Sequence, residues 1–231
     1  MTGNATRPVD HEVLAAVLRV RDGVLQVMLW QRALAPAAGR WALPGGALGP
    51  DEDVATSVRR HLAAKVDVAQ LSHLEQLAVF SAPDRVPGRR VVATAFLGLV
   101  PTDVDPSVPA DTRWHPADEP PPTAFDHDAI VRRGRDRLRA KLSYTNLGFA
   151  LAPATFTISG LREIYAAALG YDVAATNMQR VLSRRGVLTP TGEASAPGRG
   201  GGRPAALYRF ADRSLRVTDP FAVLKPPRRS R

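Results

Sequence analysis

The spacing of apolar positions changes several times along the chain, and each change marks an element. Residues 12–20 (EVLAAVLRV) are rich in β-formers, Arg21-Asp22-Gly23 is a turn signal, and Val24–Gln31 (VLQVMLWQ) reads as a second strand, so the pattern predicts a hairpin. Residues 36–49 read as a loop, punctuated by Pro44-Gly45-Gly46. Asp51 or Glu52 can start a helix in which Val54, Val58, Leu62 and Val66 recur every four residues, ending near Asp67. Residues 74–81 and Val91–Val100 predict two further strands across a polar loop at 82–90. Strand, strand, helix, strand, strand implies a mixed sheet with a helix packed on it, an α+β arrangement.

The pattern then becomes sparser. Residues 101–122 are rich in Pro and Asp and predict irregular chain, interrupted by Trp114. Asp126 offers an N-cap for a basic helix reaching about Leu142. Its apolar residues are few (Ile130, Val131, Leu138, Leu142), and Arg132, Arg133, Arg135, Arg137 and Arg139 cover most of the rest. Such a helix is a solvated linker or a helix that also touches a partner. Thr157 can cap a helix from Ser159 to about Leu169 with Gly170 as its stop. A second helix covers residues 173–185 and ends at Gly186. A Gly/Pro-rich stretch (189–204) and a strand at Ala206–Phe210 follow. Helix, turn, helix and Gly-rich hairpin is the layout of a winged helix-turn-helix. The division expected is therefore 1–126, a basic linker region 127–152, a winged helix 153–218, and a basic, disordered tail 219–231.

Composition bounds this picture. The chain has 231 residues, 45% hydrophobic and 23% charged, enough for two ordinary soluble domains. There is no cysteine, which rules out disulfides and thiolate metal sites and fits a cytoplasmic location. Residues 1–10 are polar, predicting no signal peptide, and no apolar run is long enough for a membrane span. Net charge is +9, but it is unevenly placed. Residues 1–126 carry 12 Lys and Arg against 15 Asp and Glu, a net −3, whereas residues 127–231 carry 19 against 7, a net +12. That segregation points the second half at nucleic acid.

In the first half, Trp41-Ala-Leu-Pro-Gly-Gly46 followed by Glu52 and Arg60 is a specific signature. It resembles the box of the Nudix hydrolases, whose spacing Gly46, Glu52, Arg60, Leu62 and Val68 preserve. Where that family places its helical glutamates this chain has His61, Ala64 and Lys65, and where it places a later glycine this chain has Asp67. Positions 61, 64 and 65 share a helix face. Mg²⁺ or Mn²⁺ there needs oxygen ligands, which alanine lacks and lysine replaces with positive charge. The chain is thus expected to have no catalytic residues, no metal site and no pyrophosphatase activity. Trp41, Pro44, Gly45 and Gly46 are expected to shape the loop, and Lys65 offers a cation for a diphosphate in place of the metal.

In the second half, residues 175–185 (ATNMQRVLSRR) have the character of a recognition helix. Met178, Val181 and Leu182 anchor one face. Thr176, Asn177, Gln179, Arg180, Ser183 and Arg184 remain for DNA, since Asn and Gln can read adenine and Arg guanine. Arg199 and Arg203, flanking three glycines, would be phosphate contacts on the wing.

With both halves present, the chain resembles the NrtR family, Nudix-related transcriptional regulators of NAD biosynthesis. The likeness spans roughly residues 12–210. It includes Leu74-Glu-Gln-Leu77, Ala124-Phe-Asp-His-Asp-Ala-Ile130, the stretch from Phe156 to Tyr165, and Gly202-Arg-Pro-Ala-Ala-Leu-Tyr-Arg-Phe210. The resemblance implies a homodimer on a near-palindromic DNA operator, acting as a repressor of NAD synthesis or salvage genes in the cytoplasm, at the nucleoid. It implies a nucleotide effector, ADP-ribose or a related metabolite such as NAD, no required cofactor and no membrane partner. Arg32, Trp41, Glu52, Arg60 and Arg85 are the expected effector contacts, because a diphosphate wants arginines and a base or ribose an aromatic wall. Two other readings remain: an active Nudix hydrolase of ADP-ribose or another nucleoside diphosphate derivative, and a nucleotide-binding adaptor for RNA.

Overall fold

A computed structural model of the chain describes residues 8–64, 71–195 and 204–219. Lys65, Arg199, Arg203 and the tail beyond Asp219 lie outside the described residues. The chain divides into two compact units: Met1–Leu18, Gln26–Gly98 and Pro106–Gly134 form one, and Arg19–Leu25, Leu99–Asp105 and Arg135–Arg231 the other.

The predicted hairpin is present as β1 (Asp10–Arg21) and β2 (Val24–Gln31). The stretch read as a loop contains two short strands, β3 (Trp41–Ala42) and β4 (Gly45–Ala47). They exist because neighbouring strands accept them: β3 pairs with β2, and β4 pairs with β1. Gly45 makes the second pairing possible. At φ +154° it lies so close to β1 that a Cβ would fall 2.0 Å from the Val13 carbonyl oxygen. Helix α1 spans Val54–Ala63. Asp53, not Asp51 or Glu52, is its N-cap, with the carboxylate accepting from the Thr56 N–H (2.7 Å), and Ala64 is its C-cap; Val66 and Asp67, where the pattern carried it on, lie outside the described residues. Its buried face is Ser57, Val58 and Leu62.

Strands β5 (His73–Phe80) and β6 (Val91–Val100) follow as the alternation predicted. The segment expected to be irregular contributes β7 (Thr112–Pro116), which pairs antiparallel with β2, Met28 opposite Trp114. Five residues ending in proline carry too short a pattern to read as a strand alone; the exposed edge of β2 supplies it. The sheet has seven strands in the order β3-β2-β1-β6-β5, with β4 and β7 attached to β1 and β2.

Helix α2 (His127–Tyr144) is less solvated than its arginines implied. Ile130, Val131, Leu138 and Leu142 are fully buried, each worth roughly 1.5–3 kcal/mol against an exposed position. Within the first unit, Gly134 brings the helix against the sheet, with space for a Cβ only 3.0 Å from the Ala16 methyl. A 3₁₀ turn (Leu147–Ala150) follows.

The winged helix is built from β8 (Phe156–Thr157), α3 (Ile158–Leu169), α4 (Ala175–Arg184), β9 (Leu188–Ala194) and β10 (Ala206–Phe210). Thr157 caps α3, its hydroxyl accepting from the Gly160 N–H (3.1 Å), and Gly170 ends it in the left-handed region. Helix α4 begins two residues later than expected, at Ala175, with no side-chain cap. Part of the Gly/Pro-rich stretch is strand β9, and the three-stranded order β8-β10-β9 forms the wing sheet. Pairing with β10 stabilises β9 across its Pro190 and Gly192, which weaken it as an isolated strand.

Candidate effector site and DNA-facing helix

In the first unit the altered box closes on itself. Glu52 accepts from the Gly49 N–H (2.8 Å) and from the Arg60 Nε (3.1 Å), and Arg60 Nη2 makes a further short contact with the same carboxylate. The Arg60 hydrogen bonds, aided by the Gly49 N–H, hold the Glu52 pKa down to about 2. His61 fills the space over Gly46, where a Cβ would meet its ring at 2.4 Å, and its Nε2 bonds the Ala47 carbonyl oxygen (2.9 Å). Ala64 stands exposed at the helix end. A Nudix box serves a divalent cation, and these groups do not fit one. Glu52 is neutralised by Arg60, His61 points at a carbonyl, and Ala64 supplies no oxygen. Among the described residues no group of three or more His, Asp or Glu side chains is placed to hold a metal ion.

Two cavities lie beside this region, one of about 580 Å³ lined by Arg40, Arg85, Thr123, Phe125 and Asp126 among others. The second, about 170 Å³, is lined by Glu12, Arg32, Ala47, Arg89 and Phe125. Phe125 lines both, and sequence reasoning passed over it. Its ring lies 5.2 Å from the Arg32 guanidinium carbon, and its φ of +53° is a conformation that a bulky residue rarely adopts. The sequence signal for it is a lone aromatic between Ala124 and Asp126. Arg40, exposed at the larger cavity, was also not singled out.

The five expected effector contacts separate. Arg32 stays at the smaller cavity, donating from Nε to the Pro36 carbonyl oxygen (3.1 Å). Trp41 lines neither cavity. Its ring packs edge-on to His115 at 4.3 Å, and its carbonyl accepts from the Ala124 N–H (2.7 Å), bracing the chain that leads to Phe125. Glu52 and Arg60 are bound to each other. Arg85 lines the larger cavity and is already paired there. Its side chain is 1% exposed, and its guanidinium meets Asp126 twice (3.0 and 2.7 Å) and Glu12 once (2.6 Å). Burial opposes its charge, but the two carboxylates outweigh it and raise its pKa. A diphosphate approaching this buried guanidinium would compete with two carboxylates that already hold it.

Next to this triad His127 is buried. Its Nδ1 accepts from the Leu43 N–H (2.9 Å), and burial pushes its pKa down to about 4. The neutral imidazole thereby ties the first turn of α2 to the loop carrying the Nudix-like signature.

In the second unit, Met178, Val181 and Leu182 are buried, as the periodicity of α4 predicted. Thr176, Asn177, Arg180, Ser183 and Arg184 are exposed. Asn177 accepts from Arg180 (2.8 Å), and the half-buried Gln179 donates to the Tyr208 hydroxyl of β10 (3.1 Å). The helix therefore presents one polar, cationic face over a buried apolar one.

A model of the Nudix domain matches residues 10–134, and the model described as the NrtR DNA-binding winged helix domain matches residues 148–210. Over 205 residues the chain is 30% identical to the ADPR responsive transcriptional repressor NtrR of Acinetobacter baylyi, an alignment covering 85% of this chain and 80% of that protein. The crystal structure of Shewanella oneidensis NrtR complexed with a 27mer DNA superposes with a TM-score of 0.73 at 30% identity, covering 86% of this chain and 92% of that one. The NUDIX domain of the same protein complexed with ADP ribose superposes with a TM-score of 0.51 at 28% identity, covering 60% of this chain and 94% of that one. With a Nudix domain of mixed sheet followed by a winged helix, the chain belongs to the NrtR family.

Proposed function

We propose that this protein is a DNA-binding transcriptional repressor that responds to ADP-ribose-type nucleotides, with ADP-ribose itself as the effector, and that its Nudix domain binds this ligand without hydrolysing it. The observation that carries the reading is the exposed face of α4, with Thr176, Asn177, Arg180, Ser183 and Arg184 outward over a buried Met178, Val181 and Leu182. It is the element a winged helix inserts in the major groove. The relatives add an ADPR responsive repressor and a DNA complex of the same architecture.

For the effector, Arg32 and Arg40 supply cations and Phe125 an aromatic wall at the cavities beside the altered box. Binding without turnover follows from Glu52, His61 and Ala64, none of which is available to a hard cation. The assignment of residues 1–126 to effector binding, 127–152 to linkage and 153–218 to DNA, the homodimer on a near-palindromic operator, the cytoplasmic site of action, and the NAD-biosynthesis genes as targets are parts of the same proposal.

Fluorescence anisotropy on operator-like duplexes from the chain's own upstream region and from NAD-biosynthesis promoters tests it, with ADP-ribose, NAD and ATP titrated in turn. Specific binding released by ADP-ribose is expected. Binding indifferent to sequence and salt would remove the repressor reading, and steady phosphate release from ADP-ribose with Mg²⁺ or Mn²⁺ would replace it with an enzyme.

A further inference from the structure

Two adjacent arginines end the candidate recognition helix, and they do opposite things. Arg184 is exposed. The Arg185 side chain is 6% exposed and turns inward, where Nη2 donates to the Ser143 carbonyl oxygen (3.1 Å) and to Asp219 Oδ2 (2.7 Å). Ser143 lies in the last turn of α2, whose final carbonyls have no partner within the helix. Asp219 is itself seated there, since its N–H and that of Thr218 both donate to the Tyr144 carbonyl oxygen (3.1 and 2.9 Å). One guanidinium–carboxylate pair therefore joins the C-terminal ends of α2 and α4.

Helix α3 is held in the same manner. Arg139 of α2 donates from Nε to the Ala168 carbonyl oxygen (3.1 Å), and its guanidinium covers Gly170, where a Cβ would fall 2.7 Å from Nη2. A cation at a helix C-terminus also meets the negative end of the helix dipole. Asn146, just beyond α2, completes the attachment: its side chain donates to the carbonyl oxygens of Asp212 and Ser214 and accepts from the Arg216 N–H. Arg139, Ser143, Asn146 and Asp219 all lie outside residues 148–210, the span matched as a DNA-binding winged helix.

We propose that Arg185 with Asp219, and Arg139, are positioning residues for operator recognition: they lock both helices of the helix-turn-helix to the second half of α2, so that the DNA-reading face keeps the orientation α2 dictates. This rests on the DNA-binding reading above. The chemistry separates the role from that of Arg180 and Arg184. A buried arginine paired to a carboxylate neutralises no phosphate, so its loss changes specific binding without changing how binding depends on salt.

The test uses the full chain. R185M, R185K, D219N and R184A are compared with the unaltered protein for folding by circular dichroism, and for affinity to operator and to unrelated duplex across a salt series. R185M is expected to lose roughly tenfold in operator affinity, about 1.4 kcal/mol, with its nonspecific affinity and salt slope unchanged. R185K, able to keep the charge pair, is expected to recover part of the loss. D219N keeps a hydrogen-bond acceptor and guards against a misfolded R185M; a loss of about threefold is expected. R184A is expected to flatten the salt slope by about one unit. Operator affinity equal to the unaltered protein in a folded R185M or in D219N would overturn the proposal. So would a shallower salt slope in R185M, which would make Arg185 a phosphate contact. If the unaltered protein itself shows no operator preference, the DNA-binding reading fails first and this proposal goes with it.

Discussion

Arg85 and Asp126, 41 residues apart, form a two-pronged ion pair at 3.0 and 2.7 Å, and Glu12 closes the third side of the guanidinium at 2.6 Å. The pair ties the loop between β5 and β6 to the residue preceding α2. A guanidinium looks like a ligand for a diphosphate until its partners are known, and here both partners belong to the protein. R85M is therefore expected to act on stability, because it leaves two partly buried carboxylates without their cation. A loss of about 3 kcal/mol is expected, read as a lowered midpoint in urea. An unchanged midpoint with weakened ADP-ribose binding would make Arg85 an effector contact instead.

Phe125 is expected to behave in the opposite way. F125A removes the aromatic wall common to the two cavities and relieves a left-handed backbone only slightly. ADP-ribose affinity is expected to fall by about tenfold, within the roughly 1–3 kcal/mol that a base stacked on an aromatic side chain contributes, while operator binding without effector stays as it was. Isothermal titration with ADP-ribose, beside anisotropy on the operator, separates the two. Equal ADP-ribose affinity would place the ligand elsewhere.

His127 sets an acid limit on the fold. Burial lowers its pKa from 6.5 to about 4. The unfolded chain takes up a proton near pH 6.5 that the folded chain refuses until about pH 4, so stability is lost as pH falls through that window. The full effect is on the order of 3 kcal/mol. H127N keeps an acceptor for the Leu43 N–H and cannot titrate. Its melting temperature is expected to vary less than that of the unaltered protein between pH 7 and pH 5, and parallel profiles would assign the acid sensitivity to other groups.

The exposed α4 residues predict a division of labour on DNA. R180A is expected to weaken operator binding by about 1–3 kcal/mol and relax sequence preference at one position if the side chain reads a base, or to weaken all duplexes equally if it meets a phosphate. Binding to a panel of operators with single substitutions distinguishes the two. No change on any duplex would remove α4 as the DNA-facing helix.

Much of this architecture was legible in the chain itself. Val24–Gln31, Val91–Val100 and Ala206–Phe210 were readable as strands from their β-forming residues and the breakers around them. Thr157 and Gly170 bounded α3 because a hydroxyl cap and a left-handed stop act within one turn of the residue that supplies them. The buried stripe of α4 followed from its period. Tertiary structure decided the rest. β7 is a strand only because β2 offers it an edge, and Arg85 is a paired, buried cation only because Glu12 and Asp126 come back to it from 73 and 41 residues away. Arg184 and Arg185 are the same residue type in neighbouring positions, and only the tertiary structure, which brings the Ser143 carbonyl and Asp219 to Arg185, turns one outward and the other into a clamp. Propensities and caps are local, so they are written where they act. The partner of a buried charge is chosen by the whole fold.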